Sequence, residues 1–225
     1  MSVRTIAPIS ATEFAHMMRL VGPSSRWSKN LGRRASINCV ENTKNLEIAV
    51  ANSGGSDSTC LLFLLNEYIK NESPSDKSHR LFSLTVDHDL QPTSAQMAER
   101  AAKLAESLGV EHVTIKILWG EGIYPPKPTS KTKLELLARD ARYATLFAAM
   151  RDARANTLAL GHHADDQVET MLMRLGKGTS KLGMIGMQPC SRWGMGSDSD
   201  GLNWRGHEGL EKYKIRPLLD VGKVS

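Results

Sequence analysis

Residues Ser53-Gly54-Gly55-Ser56-Asp57-Ser58 interrupt an apolar run at Leu46–Ala51, and a second run carrying Leu61, Leu62, Leu64 and Leu65 follows at once. Their types suit the binding of an oxyanion. Gly54 and Gly55 can adopt positive φ and bring backbone N–H groups close to a ligand. Ser53, Ser56 and Ser58 add hydroxyls, and the helix start behind them favours negative charge. Asp57 is discordant, because a carboxylate repels bound phosphate unless a cation lies between them. An Mg²⁺ ion shared by Asp57 and phosphate oxygens removes that conflict. The plainer alternative is a tight turn in which Asp57 is a first-turn acid favoured by the helix dipole. The stretch is neither G-x-x-x-x-G-K-[ST] nor G-x-G-x-x-G. Gly176-Lys177 does not supply the former, since Met171 stands where its first glycine belongs.

Two further polar clusters follow apolar runs: Asp87-His88-Asp89, and His162-His163-Ala164-Asp165-Asp166 with Glu169. Asp166 and Glu169 at i,i+3, and Asp165 and Glu169 at i,i+4, share a helix face. Acids at a helix start commonly act as caps, and Asp166 with Glu169 has the spacing of a loose capping box. Three carboxylates beside two imidazoles exceed what capping needs, and suit either a metal or an alkyl-ammonium group. His88 fits a buried structural hydrogen bond as well as it fits a nucleotide contact. Arg139 and Arg142 lie i,i+3 on a long helix, where a solvated basic face is the ordinary outcome. Lys127, Lys131 and Lys133 precede them in a Pro-rich loop and suit contacts to a phosphate backbone.

The elements that must position these clusters alternate along the chain. Strands are expected at Leu46–Ala51, Leu81–Leu90, Glu111–Leu118 and Thr157–His163. Helices are expected at Ser58–Tyr68, at Ser94–Val110 with Gly109 closing it, at Leu134–Arg154 and at Ala164–Leu175. Such alternation predicts an α/β fold with a doubly wound, parallel, Rossmann-like sheet and ligands at the carboxyl ends of its strands. All three clusters fall at such ends. From Gly176 onward the sequence is glycine-rich and irregular, and reads as loop or mobile segment. Trp193 and Trp204 within it either stack on bases or anchor that loop.

The bulk properties fit one α/β domain with extensions. The chain has 225 residues, 40% hydrophobic and 24% charged, with a net charge of +5 that weakly favours a polyanionic partner. No apolar run approaches the ~20 residues of a membrane-spanning helix, so no membrane partner is expected. Cys39, Cys60 and Cys190 are three widely spaced cysteines without C-x-x-C, which supports neither a disulfide framework nor a zinc ribbon. A reducing, intracellular setting follows, mitochondrial or cytoplasmic. The lead carries Arg4, Arg19, Arg26, Lys29, Arg33, Arg34 and Lys44 against Glu13 and Glu41. It reads as a transit segment or as a helical extension capped at Ser10 or Thr12, with Phe14, Met17, Met18 and Val21 on one face.

Taken together, Ser-Gly-Gly-x-Asp-Ser after a first strand, "VDHDLQPTSAQMA", "LELLARDARY", "LGHHADDQVETMLMRLGKGTSKLGMIGM" and "KIRPLL" resemble, in order and spacing, the tRNA(Ile)-lysidine synthases of the N-type ATP pyrophosphatase (PP-loop) superfamily. The likeness runs from Leu46 to Leu219. It implies an adenine nucleotide α-hydrolase-like fold and two substrates besides ATP·Mg²⁺: tRNA(Ile) and L-lysine. In the implied reaction the wobble cytidine is adenylated at its C2 oxygen with release of pyrophosphate. The ε-amine of lysine then attacks C2 and expels AMP, forming lysidine.

The same resemblance implies nucleotide binding by Ser53, Gly54, Gly55, Ser56, Asp57, Ser58, Val86, His88 and Gly161, with Asp57 also holding Mg²⁺. It implies lysine binding by His163, Asp165, Asp166 and Glu169, and catalytic roles for Asp57, Arg139, Arg142 and Asp166. The arginine helix would flank the ATP and tRNA sites and neutralise charge developing on the leaving pyrophosphate. Asp89 departs from the pattern, which has glycine there. Residues 1–44 are expected to be an extension, 45–220 the ATP-binding catalytic domain and 221–225 a tail. The domain is expected to be C-terminally truncated relative to the family, with a homodimer as its assembly. Three rivals stand beside this reading. A 2-thiocytidine-type tRNA thiolase would generally use clustered cysteines. A metal-dependent phosphoesterase would use Asp87, His88, Asp89, His162, His163, Asp165 and Asp166. The third is an inactive RNA- or ATP-binding fragment.

Overall fold

The computed structural model describes residues 8–21, 47–72, 79–128, 131–176, 178, 186–196 and 202–222, the side chains of 131–133 excepted. The side chains of Lys131 and Lys133, Lys177, and the basic stretch from Arg26 to Lys44 lie outside the described residues.

Strands β1 (Glu47–Ala51), β2 (Arg80–Asp87), β3 (Glu111–Lys116) and β4 (Thr157–Ala159) alternate with helices α2 (Ser56–Glu72), α3 (Ser94–Ser107) and α4 (Lys131–Asp152). Helix α5 (Ala164–Gly176) follows β4, and then come β5 (Cys190–Arg192), α6 (Glu208–Glu211) and β6 (Tyr213–Ile215). Among the described residues these strands form one sheet in the order β3-β2-β1-β4-β6-β5. Every pairing is parallel except β5 with β6. The doubly wound α/β reading is therefore what the chain adopts. The C-terminal stretch, expected to be irregular, does more than that reading allowed, because β6 extends the parallel sheet beside β4. Its three residues are too few to carry a strand periodicity, and only backbone pairing with β4 defines it.

Side-chain alternation along β1 divides the core. Ile48 and Val50 face a cluster with Leu61, Leu62 and Leu65 of α2 and Ala105 of α3, whereas Ala49 joins Phe82, Leu84 and Leu158 against Leu146 and Met150 of α4. Both faces of β1 are thus covered, as a central parallel strand requires. Helix α3 ends at Gly109, whose φ of +70° lets the amide of Val110 reach back to the Ala105 carbonyl.

The N-terminal stretch forms helix α1 (Ala11–Val21), with Ser10 as its cap. The Ser10 amide donates to the Glu13 carboxylate at 2.8 Å, and the Glu13 amide donates to the Ser10 hydroxyl at 3.3 Å. Phe14, Met18 and Val21 are buried in the α2 face of the core, and Phe14 meets Tyr68 edge-to-face at 6.1 Å. Truncating Phe14, which is 1% exposed, to alanine should cost about 3 kcal/mol in urea unfolding. A loss below about 1 kcal/mol would mean that α1 does not belong to the folded core.

Candidate active site

From β1 the chain winds through β2 to β3 in one direction, and then returns to place β4 on the other side of β1. Ligands of open parallel sheets bind where the order reverses in this way, at the carboxyl ends of the strands. Here those ends are the loop 52–55 after β1 and the loop 160–163 after β4.

The first loop is held by Asn52, which is 1% exposed. Its amide donates to the Leu84 carbonyl at 2.8 Å, and its carbonyl accepts from the Thr85 hydroxyl at 2.6 Å. Its side-chain NH₂ reaches Ser83 Oγ at 3.2 Å and the Ala101 carbonyl at 3.5 Å. Its Oδ1 accepts from the Gly54 amide at 3.1 Å and from Ser58 Oγ at 3.3 Å. Ser58 Oγ in turn accepts from the Ser53 amide and lies 3.1 Å from Ser53 Oγ. The buried Ser58 hydroxyl is therefore part of the loop's internal fastening. Helix α2 starts at Ser56, two residues before the expected Ser58. The amides of Ser56, Asp57 and Ser58 thus belong to its first turn, where helical N–H groups have no intrahelical acceptor.

Glycine is required at one position and fits closely at another. Gly54 has φ +77°, and a Cβ there would sit 2.4 Å from the Met97 carbonyl oxygen of α3. At Gly161 a Cβ would lie 3.0 Å from the Ser58 amide nitrogen and 3.1 Å from the Asp57 carbonyl. The two loops consequently meet backbone to backbone.

Between them opens a cavity of about 300 Å³. Its polar lining includes Asn52, Ser53, Gly55, Asp57, Ser58, Gly161, His162 and Asp166, and its apolar lining Leu84, Val86, Met97, Ala98, Leu146 and Leu160. Thr85, His88, Arg142 and Tyr143 also contribute. Of the residues named from sequence, Ser53, Gly55, Asp57, Ser58, Val86, His88, Arg142, Gly161 and Asp166 line this one cavity. Gly54, Ser56, Arg139, His163, Asp165 and Glu169 are not in its lining. Gly54 abuts α3, and Ser56 Oγ donates to Asp57 Oδ1 at 3.2 Å. Asp165 and Glu169 are exposed on α5.

His163 links the loops. Its Nε2 lies 3.7 Å from Asp57 Oδ2 and 3.4 Å from Asp166 Oδ2, while its Nδ1 accepts from the Asp165 amide at 3.3 Å. The proton therefore sits on Nε2, between the two carboxylates. The helix-capping pair is His163 with Asp166, whose Oδ2 accepts from the His163 amide at 2.9 Å, rather than Asp166 with Glu169.

His162 is kept neutral. Its Nδ1 accepts from Arg216 Nε at 3.2 Å, and burial, with the Arg216 guanidinium alongside, pushes the imidazole down to about 4. Arg216 also donates to the Gln188 carbonyl at 2.7 Å. At the second cluster, Asp89 occupies a left-handed conformation, φ +49°, and pairs with Lys116 and Lys127 at 3.7 and 3.4 Å. Aspartate tolerates that conformation better than most side chains. The His88 carbonyl accepts from Trp119 Nε1 at 2.9 Å.

Sequence reading did not single out Asn52, Tyr143, Lys214 or Arg216 as site residues. Asn52 left a trace, a polar residue ending an apolar strand, and Arg216 lies inside the quoted "KIRPLL". Among the described residues, no group of three or more His, Cys, Asp or Glu side chains is placed to hold a metal ion.

Comparison with known proteins agrees with this geometry. Residues 29–225 match the model of the PP-loop domain family. The chain is 34% identical over 174 residues to the tRNA(Ile)-lysidine synthase of Hyphomonas neptunium, a match covering 77% of this chain and 40% of that protein. To the Bradyrhizobium diazoefficiens synthase it is 35% identical, over 79% of this chain and 42% of the other. It thus spans about two fifths of the length of these relatives. In structure it resembles the U34-tRNA thiolase NcsA from Methanococcus maripaludis with a TM-score of 0.57 and 21% identity, over 93% of this chain and 60% of that one. That likeness is one of fold.

Two outcomes are expected. Asn52→Ala should cost about 1–3 kcal/mol in unfolding experiments and weaken ATP binding at least about tenfold, because it removes the acceptor of the Gly54 amide and one of the two acceptors of the Ser58 hydroxyl, which also reaches the Gly55 carbonyl. Unchanged nucleotide affinity would show that the loop holds itself. His162, lowered from 6.5 to about 4, binds its proton first in the unfolded chain as pH falls. Its contribution is complete above pH 6.5 and is lost on the way down to about 4, to the extent of about 3 kcal/mol. His162→Gln should flatten that part of the stability–pH curve, and parallel curves for the two proteins would contradict the assignment.

Proposed function

Because the chain belongs to the PP-loop family, whose members bind ATP, we propose that it activates the wobble cytidine of tRNA(Ile) with ATP and joins lysine to C2 through an adenylated intermediate. The observation carrying this reading is the meeting of the SGGSDS and HHADD loops at one cavity. There His163 Nε2 stands between Asp57 and Asp166 at 3.7 and 3.4 Å. The relationship to the lysidine synthases supports the choice of substrates.

The loop amides and the first turn of α2 cradle the phosphates, and the apolar side chains of the lining take the adenine. The tight Gly161–Ser58 approach fits this role, since a Cβ would crowd the phosphate-binding amides. Asp57, at the start of α2, is the residue to hold Mg²⁺ beside the phosphates. Such an ion would neutralise charge on the leaving pyrophosphate and would take its remaining ligands from phosphate oxygens and water. Arg142, in the cavity lining, adds positive charge at the same point, and Arg139 stands one helical turn away. His163 keeps Asp57 and Asp166 from repelling one another. Asp166, with Asp165 and Glu169 on the same helix, offers counter-charge to the ammonium groups of lysine. One of these carboxylates accepts the proton that the ε-amine sheds on attack.

With an isoleucine tRNA bearing a CAU anticodon, the protein should release pyrophosphate only when tRNA is present, and AMP only when lysine is added. Asp57→Ala should lower both at least about a hundredfold. ATP binding without any release under these conditions would sink the ligase reading and leave a nucleotide-binding domain.

A further inference from the structure

Beside the cavity, reaching its lining through Arg142 and Tyr143, lies a group of cations mounted on aromatic rings. Tyr143 and Phe147 of α4 meet Trp193 edge-to-face at 5.7 and 5.2 Å. Lys214 of β6 sets its ammonium 4.9 Å from the Trp193 ring and 6.0 Å from the Tyr143 ring. Arg139 and Arg142 sit 5.3 and 5.7 Å from the Tyr143 ring, and Arg205 5.3 Å from that of Phe147. The charged groups that act on Lys214 are Arg216 just past the end of its strand, Arg139 from α4 and Arg205 from the preceding loop, all cations. With burial, they push its ammonium down to about 8. Aromatic faces attract cations but carry no net charge, so the rings hold Lys214 and Arg139 without themselves neutralising them.

A cluster of like charges held beside a nucleotide cavity is stabilised by a polyanion. We propose that Lys214, Arg139 and Arg205, fixed on Tyr143, Phe147 and Trp193, grip the phosphate backbone of the RNA substrate as its reacting base enters the cavity. The inference rests on the tRNA reading above and deepens it. ATP carries phosphate too, but Lys214 is absent from the cavity lining whereas Arg142 is in it. The grip is therefore for RNA, and nucleotide affinity is separable from it. A phosphate at Lys214 supplies an anion where the described charged neighbours are all cations, and favours the protonated amine. RNA binding is thereby coupled to uptake of a proton once the solution pH exceeds about 8.

The test measures binding of an unmodified tRNA(Ile) transcript and, separately, of ATP, to the wild-type chain, Lys214→Met and Lys214→Arg. Lys214→Met should bind RNA at least about fivefold more weakly and lower the salt slope by about one, with ATP affinity unchanged. Wild-type RNA affinity should fall about fourfold from pH 7 to 8.5, whereas Lys214→Arg, which keeps its charge, should show no such fall. Wild-type RNA affinity in Lys214→Met, or the wild-type pH response in Lys214→Arg, overturns the grip and leaves the tRNA reading intact. A wild-type chain that binds ATP but no RNA overturns both.

Discussion

The geometry of the site depends on one buried carboxamide. Asn52 ends the central strand and spends both ends of its side chain on fixed partners, the NH₂ on Ser83 and Ala101, the oxygen on Gly54 and Ser58. A buried amide without those partners would cost free energy, so the loop is favoured in the one shape that satisfies it. That shape brings Gly54 against the backbone of α3 and leaves the first turn of α2 facing the cavity. The loop is thus tied to β2 and α3 before any ligand arrives, which is the preorganisation that electrostatic stabilisation needs.

Around this fixed point the charges are segregated. Asp57, Asp165 and Asp166 stand in the first turns of α2 and α5, where helix dipoles favour acids, and Glu169 follows one turn on. Arg139, Arg142, Lys214 and Arg216 lie on α4 and at β6. A neutral His162, accepting from Arg216, and His163, proton between Asp57 and Asp166, line the boundary. The cavity lies where the two sides meet, with Asp57 and Asp166 from one and Arg142 from the other in its lining.

The C-terminal stretch is where the sheet and the site become one object. Pairing of β6 with β4 places Ile215 in the core, and the next residue, Arg216, against His162. The hairpin partner β5 leads into Trp193, which packs on Tyr143 and Phe147 rather than standing free for a base. Trp204, by contrast, remains 46% exposed.

Much of this was legible along the chain. Strand and helix periodicities, the glycines of SGGSDS and the acids of HHADD are local patterns, and local patterns predict local structure. Alternation of strands and helices also placed every polar cluster at a strand's carboxyl end, where parallel sheets bind ligands. What the sequence could not determine were pairings between distant residues. Asn52 finds Ser83 and Ala101 at separations of 31 and 49 residues, and Arg216 finds His162 at 54. The three residues of β6 show no period of their own, and Lys214, the first residue of the quoted "KIRPLL", carries no local sign of its surroundings. Only the tertiary structure buries it among arginines and rings, because burial and like charge act through space and are indifferent to the order of the chain.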